Sequence, residues 1–329
     1  MDFDIKDLAG LSEPARKLIE VVSEGIGTLF RPRAMRREAD AKAYEIRVLA
    51  AAEADANARK VRGRTRVELE RINSLAAADP ELLERARLRL LSREVEGQVN
   101  VEAIAEHALK HLPATVSHQP VTEDWRRKFF QGAENICDQD LQLLWGKVLA
   151  GEVSSPGSYS LRTLEILKHL SKAEAEVFRQ ACNLACRDGW IILPGSDINS
   201  VLKPYGITYD DLLSLREAGL IYEGDSLIKD LSVLTDPLAI VVFLNNGVFI
   251  QLSGPTLSRQ RIPSLPFTRA GRELQNLVEP NPCMPYLQTV AAYFRQRGLT
   301  VKKGTSKATD AGQTVMSFDE EFRIEDLRG

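Results

Sequence analysis

The sequence predicts a mainly α-helical protein, with N-terminal long helices and a helical bundle followed by a C-terminal winged-helix-like α+β domain. Three observations carry this. Aromatic residues make up only 6% of a chain that is 44% hydrophobic, which suits Leu- and Ala-rich helices better than a β-sandwich. Apolar residues recur at spacings of three and four through most of residues 11–187. After Gly189 the texture changes to short β-rich runs between helices.

The first helix is announced by Ser12-Glu13-Pro14, a Ser N-cap with Pro in the first turn. Leu11, Ala15, Leu18, Ile19, Val22, Ile26 and Leu29 form its apolar face, Gly25 and Gly27 fall inside it as sites of close packing or a kink, and Arg31-Pro32 ends it. From Arg33 to about Ala78 the chain is rich in Ala, Arg and Glu, with no Pro and one Gly, so a long helix is expected. Its Ala-rich middle cannot stabilise itself, which predicts coiled-coil-like pairing with another chain or with residues 80–110. These elements make up the expected N-terminal segment 1–112.

Asp79-Pro80 opens the next helix, and Pro113 to Pro120 is the first clear break. Helical blocks at 123–133, 138–153, 161–170 and 172–187, joined by short turns, predict a bundle over 120–188. In 190–300 the expected order is a strand at Trp190–Leu193, a helix at Thr208–Ala218 stopped by Gly219, and a hairpin of Ala239–Leu244 with Val248–Leu252 turned by Asn245-Asn246-Gly247. Helices at Thr268–Val278 and Tyr286–Arg297 complete this winged-helix-like domain. Residues 301–329 have little apolar content and are expected to be a flexible tail.

Composition narrows function. The net charge of −3 argues against coating nucleic acid by bulk electrostatics. Arg31 to Arg71, with twelve Lys or Arg against seven Asp or Glu, is nevertheless a basic stretch. Four scattered cysteines and acidic residues at the N-terminus predict a cytoplasmic protein, with no run of about 18 apolar residues to span a bilayer. There is no Gly-x-Ser-x-Gly elbow and no phosphate-binding glycine loop, so neither a catalytic residue nor a cofactor is expected. His107 and His111, four apart, lack acidic or thiol ligands nearby, and Cys182 and Cys186 sit on an apolar face, so no metal is expected either.

Two constellations remain as candidate binding sites. Arg31, Arg33, Arg36 and Arg37 form a basic cluster after an amphipathic helix, which an anionic membrane surface or nucleic acid could engage; the plainer reading is solvated arginines paired with Glu38 and Asp40. Around Trp145, residues Leu141, Leu144, Trp145, Val148 and Leu149 form a core stripe, with a polar loop after it. The functional alternative there is a binding surface of Glu152, Ser158, Ser160 and Arg162.

Several segments together resemble a known family. They are Leu18-Ile-Glu-Val-Val-Ser-Glu-Gly-Ile-Gly, Arg31-Pro32 with Arg36-Arg37, Asn100-Val-Glu-Ala-Ile, Asp124-Trp125 with Phe129-Phe130, and above all the block from Leu144-Trp-Gly-Lys to Arg162-Thr-Leu. The chain resembles, over about residues 10–300, the uncharacterised bacterial domain-of-unknown-function family 2806. The resemblance brings no catalytic residue. It implies an arrangement similar to abortive-infection-like proteins and, by association, a role in bacterial defence against phage.

The leading expectation is a non-enzymatic interaction or oligomerising protein whose partner is itself or another protein. A nucleic-acid-binding winged-helix regulator, and an enzyme with an unfamiliar site near Glu152–Arg162, are the alternatives. The helix at 208–218 offers Asp210, Asp211, Arg216 and Glu217, an acidic balance that favours protein contact over base reading.

Overall fold

The computed structural model describes residues 11–32, 74, 79–195, 197–224, 226–230, 240–243, 248–256, 260–279, 281–308 and 314–321. The helical arm expected over 33–78 lies almost wholly outside the described residues, as do Arg33, Arg36 and Arg37 and the turn residues Asn245, Asn246 and Gly247. The chain is mainly α, with small antiparallel sheets, and divides into two compact units, Met1–Leu164 and Glu165–Gly329. The stretch expected as one bundle over 120–188 is therefore shared between them.

The first unit is built from α1 (Glu13–Ile26), α2 (Pro80–His111), α3 (Glu123–Ala133), α4 (Gln139–Ser154) and the start of α5 (Leu161–His169). Ser12 sits at the N-cap of α1, but its side chain makes no cap bond. The helix stops at Gly27 rather than at Arg31-Pro32, because Gly27 takes the left-handed φ of 74° and its N–H returns to the Ser23 carbonyl. Gly25 lies under the ring of Phe130, where a Cβ has no room. So of the two glycines expected inside the helix, one is a close-packing site and the other a stop.

Asp79 caps α2 by accepting the Leu82 N–H at 2.8 Å, and the two apolar runs of this region form one helix of 32 residues. Its C-terminal half buries Val101, Ile104, Ala105 and Ala108 against Leu18, Ile19 and Val22 of α1, Phe129 and Phe130 of α3, and Trp145, Val148 and Leu149 of α4. Its first turns are different: every side chain from Glu81 to Leu90 is exposed.

The second unit opens on the end of α5 and α6 (Lys172–Leu184), the latter started by a Ser171–Glu174 capping box. There follow β1 (Trp190–Ile192), α7 (Ile198–Leu202) with Asp197 as N-cap, and α8 (Tyr209–Glu217) with a Thr208–Asp211 capping box. The sequence gives α7 only five residues, too few to show helical periodicity. Beyond α8 come β2 (Leu227–Asp230), β3 (Ile240–Phe243), β4 (Val248–Ser253), β5 (Arg261–Pro266), α9 (Arg269–Gln275) and α10 (Met284–Gln296).

The strands form two sheets. One has the order β1-β5-β2, all antiparallel, with Ile191 opposite Leu265 and Ile228 opposite Pro263. The expected hairpin forms as β3 with β4, Ile240 opposite Leu252. It belongs, however, to a second sheet of order β3-β4-β6-β7.

That sheet corrects the expectation of a flexible tail from 301. Residues 300–308 are β6 (Thr300–Ala308), which pairs along β4, and β7 (Thr314–Glu321) pairs with β6. Composition misled here because a strand needs neighbours more than its own apolar content: Val301 is buried opposite Leu252, and β4 presents a ready edge. Removing residues 302–329 is accordingly expected to lower the melting temperature by about 5 °C or more, followed by circular dichroism. A truncated protein that melts with the full chain would show that the sheet adds nothing to stability.

Candidate functional site

The Trp145–Leu164 block is the candidate site, and its geometry starts with α4. Asp138 caps this helix by accepting the N–H groups of Asp140 and Leu141 at 2.9 and 3.1 Å. Trp145 is fully buried, 5.1 Å from the Phe129 ring, with Gly132 tight against its far edge. Val148 and Leu149 are buried beside it, whereas Leu141 and Leu144 are half-buried. Trp145 Nε1 has no hydrogen-bond partner among the described residues. A fully buried indole offers a ligand no surface.

Glu152 is 2% exposed, and both of its oxygens are used in the loop that follows. Oε1 accepts the Gly157 N–H at 2.7 Å and Oε2 accepts the Tyr159 N–H at 3.0 Å. The loop must turn sharply to bring both amides onto one carboxylate, and Gly157 permits this with a φ of 90°. Tyr159 is pinned further: its carbonyl accepts from Trp125 Nε1 at 2.9 Å, and its ring covers Gly151.

The other loop residues are also engaged locally. Ser158 Oγ donates to the Ser155 carbonyl at 2.6 Å. Ser160 Oγ accepts the Thr163 N–H at 3.3 Å and lies 2.9 Å from Thr163 Oγ1, starting α5. Arg162 is exposed on the first turn of α5. Lys17 of α1 donates to the carbonyls of Ser117 at 2.6 Å and Gln119 at 2.8 Å, while the Ser117 N–H meets the Ser154 carbonyl. Partial burial pushes the Lys17 ammonium below its ordinary pKa, against the opposing pull of Glu13, Glu20 and Glu152.

The arrangement is a charge-assisted backbone clamp. Each oxygen of the Glu152 carboxylate accepts one backbone N–H of the loop that follows it. Arg31 is half-buried in the loop after α1, and the rest of its expected cluster is outside the described residues.

One polar group escaped the sequence. Gln142 is buried and donates to Asn100 Oδ1 at 3.1 Å and to the Ile136 carbonyl at 2.8 Å, while Asn100 donates to the Glu134 carbonyl at 2.9 Å. The only signal was a lone Gln on a Leu-rich stripe. His111 Nδ1 lies 2.7 Å from the His107 carbonyl, and among the described residues no three His, Cys, Asp or Glu side chains gather as a metal site. Cys182 and Cys186 are buried; burial raises both thiols, Cys186 to about 12.

These features define a mainly helical protein in which Glu152 holds the loop after α4. A family model described as "Protein of unknown function (DUF2806)" matches residues 84–190, so the chain resembles that family from α2 to the start of β1. This is narrower than residues 10–300, and it contains the whole Trp145–Leu164 block. No curated protein and no solved structure matches the chain.

Two outcomes check this reading. Glu152→Gln replaces one acceptor by a donor facing an amide and is expected to destabilise the protein by about 1–3 kcal/mol in urea unfolding; full stability would leave Glu152 available for another role. In native protein at pH 8, Cys137 is expected to react with a thiol reagent while Cys182 and Cys186 stay protected until unfolding.

Proposed function

We propose that this protein works by association with other macromolecules, as a non-enzymatic interaction protein that includes itself among its partners. The observation that carries the reading is the placement of exposed apolar side chains. All but one of the large exposed hydrophobic residues among those described fall in two stretches. Leu82, Leu83, Leu88, Leu90 and Val99 are on α2, and Tyr209, Leu213, Tyr222, Leu227 and Ile228 run from α8 to β2. On α2, Leu82, Leu83 and Leu90 share one side of the helix, and adjoining exposed apolar groups mark contact surfaces where singly scattered ones do not.

The second stretch lies in what we read as a winged-helix-like domain. The order α6, β1, α7, α8, β2, β5 supports this reading, as does the sheet order β1-β5-β2. The segment between β2 and β5, where a wing would lie, contains the β3–β4 hairpin. In such a domain the second helix of the α7–α8 pair would face a nucleic acid. Here the exposed side of α8 carries Tyr209, Asp210, Leu213 and Glu217, and Arg216 is held by the Gly224 carbonyl at 3.2 Å. Two carboxylates facing phosphates are repulsive, and two large apolar groups fit a protein surface, so the geometry favours a protein partner over nucleic acid.

Light scattering on the full chain, with and without duplex DNA or RNA, tests this. The expected mass exceeds the 36.6 kDa of one chain and does not change when nucleic acid is added. A monomer whose mass rises stoichiometrically with DNA would replace this reading with the nucleic-acid one.

A further inference from the structure

The apolar side of α2 has a pattern that specifies one partner. Residues Leu82, Ala86, Leu90, Arg93, Gly97, Val101, Ile104 and Ala108 follow one another at steps of three and four, so they share one face of the helix. From Gly97 onward that face is buried inside the first unit. Over the preceding turns the same face is open: Leu82 is 44% exposed, Leu83 46% and Leu90 37%. A core stripe thus continues beyond its own bundle, uncovered by the described residues, for about four turns, some 22 Å.

The open part is self-complementary about Ala86. Counting along the helix from Ala86, Asp79 lies seven residues before and Arg93 seven after; Leu82 lies four before and Leu90 four after. All five positions fall on the same face. A second copy laid antiparallel, with a two-fold axis at Ala86, brings each Leu82 against the other copy's Leu90. It brings each Asp79 toward the other's Arg93, and a methyl group at the centre lets the backbones approach. The antiparallel arrangement is the one that sets Asp79 against Arg93; a parallel one would set Asp79 against Asp79 and Arg93 against Arg93.

We propose that two copies of this chain pair through the first turns of α2, antiparallel, with Leu82, Leu83, Ala86 and Leu90 at the centre and Asp79 and Arg93 of opposite copies at each end. The proposal rests on the reading of the protein as one that associates, and it names the surface. An interface of this length is at the small end of the range, so the dimer is expected at concentrations on the order of tens of micromolar.

Light scattering of the full chain at such concentrations should give twice the mass of one chain. The variant carrying both Leu82→Glu and Leu90→Glu should weaken the dimer by at least about tenfold, with helicity and melting temperature unchanged because both positions are exposed. Leu88→Glu, on the opposite side of the helix and 56% exposed, should leave it intact. Arg93→Glu, which sets like charges against Asp79, should weaken it.

In a Cys137→Ser background, Ala86→Cys should cross-link two chains under mild oxidation. Glu96→Cys should not, since those positions would stand about 30 Å apart. A dimer that persists in the Leu82→Glu, Leu90→Glu variant overturns this surface and leaves the associating reading standing. A monomeric wild type overturns both the surface and self-association. A monomer that dimerises only after residues 33–78 are deleted also overturns the proposal, by showing that the chain's own segment covers the stripe. Equal cross-linking at 86 and 96 overturns the antiparallel register.

Discussion

Gly146 lets α4 lie directly on the backbone of α2, and the first unit is organised around that approach. A Cβ at this position would stand 2.5 Å from His107 Cβ and 3.0 Å from both the Ala108 nitrogen and the Ile104 carbonyl oxygen, so only hydrogen fits. Interiors are packed at crystalline density and cannot absorb a methyl group at such a point without moving a helix. The neighbouring Trp145 then fills the space toward α3, which is why its ring meets both Phe129 and Gly132. Once α4 is seated, its C-terminal end carries Glu152 to where the carboxylate holds the following loop.

The second unit uses a comparable device. Gly271 at the start of α9 comes so close to the Leu220 carbonyl that any side chain is excluded, and Thr268 donates to the Gly219 carbonyl at 2.6 Å. Together with the bridge between Ile221 and Phe267, this ties the end of α8 to the start of α9, leaving Leu212 and Leu215 inward and Tyr209 and Leu213 outward. The same choice of inward residues therefore sets which side chains a partner could meet. Buried polar groups such as Tyr286, whose hydroxyl donates to the Ile192 carbonyl at 2.6 Å, hold strand and helix in register.

A division of labour follows from the chemistry. Several buried polar groups are engaged within the fold: Glu152 accepts two amides, Gln142 and Asn100 bond each other and backbone carbonyls, and Cys182 and Cys186 lie in the core. Among the described residues, most of the large exposed apolar side chains lie on α2 and from α8 to β2. Where two proteins meet, apolar area supplies the driving force and charge selects the partner and its direction.

Much of the local structure was decided by sequence. Ser171 with Glu174 and Thr208 with Asp211 mark helix starts by local hydrogen bonds, and α3 occupies the expected 123–133, because capping and periodicity act within a few residues. Leu-rich stripes likewise named Val148 and Leu149 as core. Tertiary structure alone decided the rest. That Glu152 is a clamp depends on where Gly157 and Tyr159 fold back, and the pairing of β6 with β4 depends on an edge about fifty residues away in sequence. The exposure of Leu82, Leu83 and Leu90 depends on where the bundle ends along α2. A helix pattern records which residues share a face; whether that face is covered is settled by neighbours distant in sequence, because burial is a property of the packed chain and not of any one segment.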